Sequence, residues 1–592
     1  MRIAAVVKPV APLDAASPEL EGGGLAPSRA LTLNPFCLRA VAQACELAAA
    51  VGDGTVTVLC LGPPSAADTL RDTLTWARAT AVACDAVLLS DPAFEGSDTL
   101  ATARTLAAAI EAAGGYDLVL TGRSAVDVDT GQVGPQLAEL LGLPFAAGAR
   151  FLSLRRDTLR IRCEHDDGWV QLDVELPAVV SCAERLIDPG QSSPSASRPT
   201  LRTVDAAALG PGPWGQTASA VRVEAVAHRI VLRRRTRLEG PVHAQVGQAV
   251  EALRECGARD AGPTTDGQEA VPPAQGERGE AVGVVVEPTR IQTSRQLLAT
   301  AAQLAVALDW HAVALTVEAP DAETLGSWGA DAVVQLEGSA LAEDVGGALA
   351  EWVRVTSPRV VLGPSTMWGR EVVARAAARL DAGLIGGATD VTIDSTGRLR
   401  VHQPVLGGQQ LAVLTTTSAV QLVTVRPGAL ATHAARASGR VETRSMGVDA
   451  RSRVRIRSEV RDDDLEALAN APVVVGVGLG VPRSSYPALG PLLAALGAQL
   501  GATRPVVDRG WLPHARQIGL TGRAIAPRLY VAIGVAGRPA HMVGVSGAET
   551  VLAIHDVPDA PVFDGADLGI VADWRDVVPR LAAALGAEAA QA

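Results

Sequence analysis

The sequence predicts an α/β protein of three doubly wound domains, each with a mostly parallel sheet, joined by a flexible linker. Two observations support this prediction. Short runs rich in β-branched residues alternate with Ala- and Leu-rich stretches of helical spacing, a pattern typical of parallel sheets covered by helices. The alternation restarts near residues 282 and 471. The length of 592 residues agrees, because domains of about 100–200 residues would give three to five of them.

In the first half, the strand candidates are short apolar runs separated by amphipathic stretches that end at glycines. They cover residues 2–7, 55–61, 86–90 and 117–122. Residues 149–187 break this rhythm, because their apolar and polar residues alternate with a period of two. We therefore predict that 149–187 form antiparallel strands appended to the sheet.

The composition then changes, which suggests the domain boundaries. Residues 188–216 are rich in Ser, Pro and Gly and are predicted to be an exposed loop. Residues 258–281 have no apolar period and are predicted to be a flexible linker. The predicted segments are a first domain (1–220), an arm (221–257), the linker (258–281), a second domain (282–440) and a third domain (441–592).

The charge and hydropathy exclude several functions. A net charge of −12 and a pI near 5.4 disfavour nucleic acid, whose phosphates require clustered positive charge. Lys8 is the only lysine, so a lysine nucleophile or a Schiff base is not expected. No apolar run approaches the ~18 residues needed to cross a membrane, and the N-terminal run is too short for a signal peptide. We expect a cytoplasmic protein that is not embedded in a membrane.

The cysteines indicate a reducing compartment. Their number is odd and none forms a C-x-x-C pair, which argues against a disulfide framework and a zinc site. No metal is expected. The seven are Cys37, Cys45, Cys60, Cys84, Cys163, Cys182 and Cys256.

A glycine-rich turn follows the predicted strand that opens the third domain. It runs Gly476-Val477-Gly478-Leu479-Gly480. Glycines at such a turn let the backbone approach a phosphate, but they also suit a turn that packs tightly. The sequence leaves both interpretations open.

Clusters of small and polar residues accompany the later strands of the third domain. They occupy 502–511, 516–523, 532–541 and 553–573. Open α/β sheets bind ligands at strand ends, so these clusters are expected to meet in one crevice. The candidate residues are Arg504, Gln517, Thr521, His541 and Asp567.

These clusters, in this order, resemble the flavin-binding domain of the electron transfer flavoprotein alpha subunit. The stretch GPSTMWGREVVARAAARLDAGLIGGATD (363–390) looks like the same subunit's N-terminal domain. In the first half, LNPFC (33–37) and LVLTGRSAVDVDTGQVGPQLAELLGLPFA (118–146) look like the beta subunit. The resemblance covers all but the linker. It implies a beta-like half fused to an alpha-like half, with three nucleotide-binding-like domains.

The resemblance implies one FAD in the third domain. Arg504 and Thr521 would lie near N5 of the flavin, and His541 would face its N1–C2=O edge. The glycine loop would meet the pyrophosphate, while His555 and Asp567 would lie toward the adenosine. The full set comprises Thr503, Arg504, Gln517, Ile518, Gly519, Leu520, Thr521, Gly522, Gly534, Val535, Ala536, Gly537, His541, His555 and Asp567.

Four of the positions depart from the family pattern. The chain has Leu479 for an arginine, Leu520 for a glutamine, Ala536 for a serine and His555 for an asparagine. Each change loses or alters a polar contact worth roughly 1 kcal/mol.

The resemblance also implies a second adenine nucleotide in the first half. AMP is favoured and FAD is the alternative, since two-FAD relatives have glycine where this chain has Val128. A β-branched residue impedes close approach of a phosphate, although Val128 could equally be a packing change. The candidate residues are Asn34, Ala125, Asp127, Asp129, Thr130, Gly131, Gln132 and Val133.

The implied function is an FAD-dependent electron carrier rather than an enzyme. It would accept electrons from a flavoenzyme dehydrogenase and pass them to a quinone reductase or another acceptor. No catalytic residues are assigned, because electrons tunnel between flavins. The partner-docking loop would be 190–200, with Pro194 nearest the anchor position. The alternatives are a bifurcating two-FAD member of the family and a redox-inactive nucleotide-binding scaffold.

Overall fold

The computed structural model describes most of residues 1–589. The segments left outside the description are 12–19, 22–23, 26–30, 78–81, 167, 189–199, 229–232, 256, 258–269, 274–279, 288–289, 320, 395, 407–409, 431–435, 437–440, 462–466, 469–470, 520–521 and 524. Most of the predicted linker, Pro194, Cys256 and the expected site residues Leu520 and Thr521 therefore lie outside the described residues.

The chain divides into two compact units. The first is built from Met1–Ala227, Thr265–Leu406 and Gln410–Val460, and the second mainly from His228–Thr264 and Arg461–Ala592. The predicted arm thus contributes residues to the second unit, beside the third predicted domain.

The strands are numbered in chain order. Those up to residue 237 are β1 (Arg2–Val7), β2 (Pro9–Val10), β3 (Leu20–Glu21), β4 (Gly24–Leu25), β5 (Thr32–Leu33), β6 (Thr55–Leu61), β7 (Ala83–Leu89), β8 (Leu118–Gly122), β9 (Phe145–Arg155), β10 (Thr158–His165), β11 (Gly168–Glu175), β12 (Ala178–Cys182), β13 (Leu201–Val204), β14 (Val221–His228) and β15 (Thr236–Arg237). Those that follow are β16 (Ala281–Val286), β17 (His311–Thr316), β18 (Ala332–Glu337), β19 (Val360–Pro364), β20 (Leu384–Ala388), β21 (Asp390–Ile393), β22 (Leu399–Val405), β23 (Gln410–Thr416), β24 (Gln421–Val425), β25 (Glu442–Gly447), β26 (Val454–Arg461), β27 (Val473–Val477), β28 (Gln499–Ala502), β29 (Leu529–Ile533), β30 (Thr550–His555) and β31 (Leu568–Val571).

The α-helices are numbered in the same way. They are α1 (Pro35–Val51), α2 (Ala66–Ala77), α3 (Thr99–Ala112), α4 (Val133–Leu140), α5 (Ala206–Leu209), α6 (Gly215–Ala218), α7 (Val242–Glu255), α8 (Ile291–Leu308), α9 (Ala322–Trp328), α10 (Ala342–Thr356), α11 (Met367–Leu380), α12 (Gly490–Leu496), α13 (Arg504–Asp508), α14 (Pro539–Met542) and α15 (Trp574–Ala589). None of the helices in the described part of the chain is long and apolar enough to cross a bilayer.

Three large sheets organise the two units. In the first unit they run β13-β7-β6-β1-β8-β12-β9-β10-β11-β26 and β20-β24-β19-β16-β17-β18-β25, and in the second β15-β31-β30-β29-β27-β28. Pairing is parallel in the second and third of these sheets and from β13 to β9 in the first. The predicted α/β class with mostly parallel sheets is confirmed.

The strand sequences explain why these sheets are parallel and covered on both faces. Along β1, Ile3 and Ala5 join one buried apolar cluster, whereas Ala4 and Val6 join another on the opposite face. Side chains of a strand point alternately to its two faces, so an unbroken apolar run requires helices on both sides. Strand β27 divides its valines between two clusters in the same way.

The region 149–187 is antiparallel only in part. Strands β9, β10 and β11 pair antiparallel, as expected. Strand β12, however, lies parallel between β8 and β9, so the antiparallel prediction is wrong for residues 178–182. Its run AVVSC is buried throughout, as a central parallel strand requires. Residues 201–204, predicted to be loop, form the edge strand β13.

Residues 442–461 join sheets of the first unit. Strand β25 pairs parallel with β18, and β26 stands at the edge of the ten-stranded sheet beside β11. Arg457 on β26 lies 2.6 Å from Asp173 on β11. The predicted third domain began at 441, whereas the boundary between the compact units lies at residue 461.

A buried arginine joins helices that cover the two large sheets of the first unit. Arg375 on α11 is 1% exposed, and its guanidinium lies 3.0 Å from Glu139 on α4 and 3.0 Å from Glu371. Glu343 on α10 lies 3.8 Å from the same guanidinium, and Glu139 also forms an ion pair with Arg379. Burial raises the pKa of Glu371 to about 7, against the opposing effect of Arg375. The group is therefore a buried ionic junction between α4, α10 and α11.

We expect Arg375→Ala to lower the free energy of unfolding of the first unit by about 3–5 kcal/mol, because it leaves buried carboxylates without their cation. Urea denaturation measures the change. Arg354→Ala is the matched control, since its pair with Glu351 on α10 is exposed and is worth at most about 1 kcal/mol. Equal stability of the two variants would contradict the role of this junction.

Candidate functional site

Four expected flavin residues of the second unit, Thr503, Arg504, Gly534 and His555, follow or end strands at one edge of the six-stranded sheet. Because this sheet is parallel, the carboxyl ends of β27 to β31 lie at the same edge. Thr503 and Arg504 follow β28, Gly534 follows β29, and His555 ends β30. Thr503 is buried, whereas the Arg504 side chain is 45% exposed and lies 3.3 Å from Asp508.

The segment around Gln517 continues beside this edge. Gln517 is fully buried, and the Ile518 amide donates to the Ala502 carbonyl at the end of β28. The Gly519 amide donates to Arg523, and a side chain at Gly522 would collide with the Gln517 backbone. This tight fold brings Gln517, Ile518, Gly519 and Gly522 to the end of β28.

The glycine-rich turn packs backbone against backbone. A Cβ at Gly476 would collide with the Tyr530 hydroxyl, and one at Gly478 with the Gly534 carbonyl. At Gly480 it would lie 2.9 Å from the Gly534 Cα. Packing thus accounts for these glycines, which favours the second of the two interpretations that the sequence left open.

The loop after β29 has the backbone freedom that close ligand approach requires. Gly534 and Gly537 have φ values of 59° and 79°, in the left-handed region that glycine adopts without strain. Val535 between them is buried and Ala536 is exposed. The Gly534 amide donates to the Ile554 carbonyl, so an anion at the sheet edge would meet the amides of the rest of the loop.

His541 is a buried, neutral ring with both nitrogens bonded inside the second unit. Its Nδ1 lies 3.1 Å from the Ile518 carbonyl and its Nε2 lies 2.8 Å from the Tyr530 hydroxyl. A carbonyl only accepts, so these partners assign the proton to Nδ1, and Nε2 accepts from Tyr530. Burial lowers the pKa of His541 to about 4, and the Ile518 hydrogen bond offsets only part of this effect.

Asp567 lies at the opposite edge of the sheet from Thr503, Gly534 and His555. It precedes β31, and its carboxylate lies 2.8 Å from Arg233 of the arm and accepts from the Val551 and Arg234 amides. This position corrects the expectation that Asp567 joins the crevice. A residue before a parallel strand belongs to the amino-terminal edge, and here it fastens the arm to the sheet.

Asp573 is the acidic residue that follows β31 at the carboxyl edge. It pairs with Arg575 at 2.6 Å, and hydrogen bonds from Arg575 hold its pKa below the usual range. Asp573 closes the predicted polar cluster 553–573 but is not among the predicted site residues, although the end of the apolar run LGIV marks where the strand stops.

In the first unit, Asn34 is fully engaged by protein. It is 1% exposed, and its amide nitrogen donates to the Ser124 carbonyl at 2.8 Å and to Cys37 Sγ at 3.3 Å. Its Oδ1 accepts from the Val126 amide. Asn34 therefore holds in place the loop that carries Ala125 to Gln132.

That loop also contacts β22, a strand that pairs antiparallel with β21 and β23 outside the three large sheets. The Asp127 carbonyl accepts from the Leu406 amide at 2.5 Å, and the Val128 carbonyl accepts from Gln403 at 2.8 Å. The Val128 side chain packs against an apolar cluster that includes Val401 and Val405 of β22. Of the two interpretations of Val128, the packing change is the one that these contacts favour.

Buried polar atoms without a partner surround the start of α4. They are Thr121 Oγ1, Gln132 Nε2 and both amide atoms of Gln136. Gln132 Oε1 accepts from Thr99 at 2.7 Å, and Val133 begins the helix. Native proteins rarely leave such atoms unpaired, so this set fits a polar ligand.

Metal and thiol chemistry find no support in the described residues. No group of three or more His, Cys, Asp or Glu side chains there could hold a metal ion. The six described cysteines are buried, and burial raises the thiol pKa of Cys37, Cys60, Cys163 and Cys182. Thiolate nucleophiles are therefore not expected among them.

Comparison with known families identifies both kinds of domain. The electron transfer flavoprotein domain matches residues 23–209 and again 284–450, and the electron transfer flavoprotein FAD-binding domain matches 467–546. A domain that occurs twice and is followed by an FAD-binding domain is the order expected of a beta-like half joined to an alpha-like half.

Curated relatives agree. Protein FixB of Rhizobium meliloti is 33% identical over 306 residues, covering 49% of this chain and 87% of that protein. FixB of Bradyrhizobium diazoefficiens is 37% identical over 248 residues, covering 40% and 67%. The electron transfer flavoprotein subunit alpha of Thermoanaerobacterium thermosaccharolyticum is 33% identical over 276 residues, covering 43% and 80%. The chain belongs to the electron transfer flavoprotein family.

Proposed function

We propose that this protein is an FAD-dependent electron carrier that accepts electrons from a flavoenzyme dehydrogenase and passes them to a quinone reductase or another acceptor. The observation that carries the proposal is the carboxyl edge of the six-stranded sheet, where Thr503, Arg504, the loop Gly534–Gly537 and His555 end the strands of a domain that matches the FAD-binding family model. FAD, when bound, supplies the electron-transfer chemistry.

The residues at this edge fit a flavin dinucleotide. The left-handed glycines of the loop let its amides approach a pyrophosphate, and the half-exposed Arg504 guanidinium provides positive charge for an electron-rich ring. His541 keeps its proton at Nδ1 and adds no charge at neutral pH. Asp573, rather than Asp567, would reach the adenosine end, because it follows β31.

We further propose a second adenine nucleotide beside the loop 125–133, and we favour AMP. The unpaired polar atoms at the start of α4 support a polar ligand there. The packed Val128 leaves less room than glycine would, and AMP needs less room than FAD. This reasoning disfavours the bifurcating two-FAD alternative.

Arg504→Ala should weaken FAD binding by about tenfold or more and make the reduction potential more negative, because a charge-assisted contact contributes about 1.5–3 kcal/mol. FAD titration of nucleotide-depleted protein and spectroelectrochemistry measure both effects. Arg580→Ala, on the exposed side of α15, is the matched control. A wild-type protein that stays colourless with FAD would support the redox-inactive scaffold instead.

Nucleotide release followed by chromatography should yield about one FAD and one AMP per chain. Val128→Gly enlarges the space beside the loop and should shift the second nucleotide from AMP toward FAD. Two FAD per wild-type chain without AMP would overturn the AMP assignment.

The second unit should lose stability as the pH falls from about 6.5 to 4. The unfolded chain protonates His541 near pH 6.5 whereas the folded chain does so near 4, so the stabilisation exists above 6.5 and disappears across this window. The full effect is about 3 kcal/mol. Urea denaturation at several pH values gives the free energy of unfolding as a function of pH. Its slope between pH 6.5 and 4 should be shallower for His541→Gln than for the control His243→Gln, a substitution at an exposed position of α7. Equal slopes would disprove the neutral assignment.

A further inference from the structure

Three arginines of the first unit surround the Asp129 carboxylate. Its Oδ2 lies 3.6 Å from Arg426 Nη2 and 3.9 Å from Arg370 Nη2, and Arg123 is close enough to act on it electrostatically. Partial desolvation raises the pKa of Asp129, but the attraction of these cations and a hydrogen bond with Ser124 outweigh it and hold the pKa below its usual range. We call Arg123, Arg370 and Arg426 the arginine cluster.

Other contacts hold each cation of the arginine cluster in position. Arg370 Nε donates to Ser365 Oγ at 2.9 Å, and Arg426 Nε donates to the Gly387 carbonyl at 3.2 Å. The Arg123 guanidinium stacks on the Phe36 ring at 5.2 Å. Nη2 of Arg370 and Nη2 of Arg426 both face the Asp129 carboxylate.

The three cations of the arginine cluster lie around one carboxylate, that of Asp129. Clustered guanidinium groups attract anions, and they match phosphate oxygens in geometry. The Asp129 side chain is 46% exposed, so the place it occupies is open to exchange with solvent ions.

The backbone beside the arginine cluster has an unusual conformation. Asp129 and Gly131 have φ values of 47° and 65°, both in the left-handed region, which for the aspartate is uncommon. A Cβ at Gly131 would lie 3.3 Å from Arg370 Nη1, so the chain approaches that guanidinium closely. The next residue, Gln132, has the unpaired Nε2 described above.

We propose that Arg123, Arg370 and Arg426 bind the phosphate of the second nucleotide, and that the Asp129 carboxylate takes the place of that phosphate when no nucleotide is bound. The proposal rests on the proposed second nucleotide site and specifies its anionic part. Arg370 and Arg426 belong to the alpha-like half, whereas Arg123 and Asp129 belong to the beta-like half. Bound nucleotide thus bridges the two halves of the first unit.

Arg426→Gln tests the proposal in the full chain. We expect AMP affinity to fall at least tenfold and AMP per chain to drop, while FAD content and thermal stability stay near the wild-type values. Arg400→Gln is the matched control, since Arg400 is half-exposed and pairs with Glu224 at 2.9 Å, outside the arginine cluster. Wild-type AMP affinity in Arg426→Gln would overturn the proposal.

Asp129→Asn keeps the proposal testable if Arg426→Gln folds poorly. Removing the competing carboxylate charge should raise AMP affinity several-fold and make binding more sensitive to salt. Weaker binding would show instead that Asp129 holds the nucleotide, which contradicts the exchange described here.

Binding of inorganic phosphate distinguishes between failure of this inference and failure of the proposed second nucleotide site. Wild-type protein that contains no AMP can still be tested for binding of inorganic phosphate by calorimetry. If it binds phosphate and Arg426→Gln abolishes this binding, the anion site is supported and the nucleotide is rejected. If wild-type protein and Arg426→Gln bind AMP equally well, the second nucleotide site is supported and the role of the arginine cluster is rejected.

Discussion

The buried Arg375 junction is the constraint on which the geometry of the first unit depends. A guanidinium that is 1% exposed must have its charge compensated, and the carboxylates that do so come from α4, α10 and α11. Helix α4 continues the loop 125–132, and on α11 Arg370 directly precedes Glu371 and lies five residues before Arg375. The same contact that ties the two large sheets together therefore also sets the loop against the arginine cluster.

In the second unit, the loop after β29 lies at the carboxyl edge of the sheet and is held there by close packing. The glycine turn and the loop after β29 press against each other through atoms that leave no room for side chains. Beneath them, Tyr530 and His541 form a buried, uncharged pair that ends on the Ile518 carbonyl. This packing holds the loop in place, while its left-handed glycines keep the carboxyl edge of the sheet accessible to a dinucleotide.

The near absence of lysine shapes both sites. With Lys8 the only lysine, almost every fixed positive charge is a planar guanidinium that can be anchored through Nε while its Nη atoms face an anion. Arg370 and Arg426 do this around Asp129, whereas Arg233 uses Nη1 for Asp567 and its two Nη atoms for the Glu549 and Ala548 carbonyls. One type of side chain thus serves structural pairing at Asp567 and, in our proposal, phosphate binding around Asp129.

The sequence by itself determined the α/β class, the parallel sheets and the family, because apolar runs, glycine stops and ordered motifs are local features. It also led to the carboxyl-edge residues Arg504, Gly534 and His555, since each directly follows or ends a recognisable strand. Only the tertiary structure decided that β12 is parallel, that Asp567 lies at the far edge and that Val128 packs against a second sheet. A pattern along the chain records burial and period, but the direction of a strand, the edge at which a residue falls and the partners of a side chain depend on segments far away in sequence.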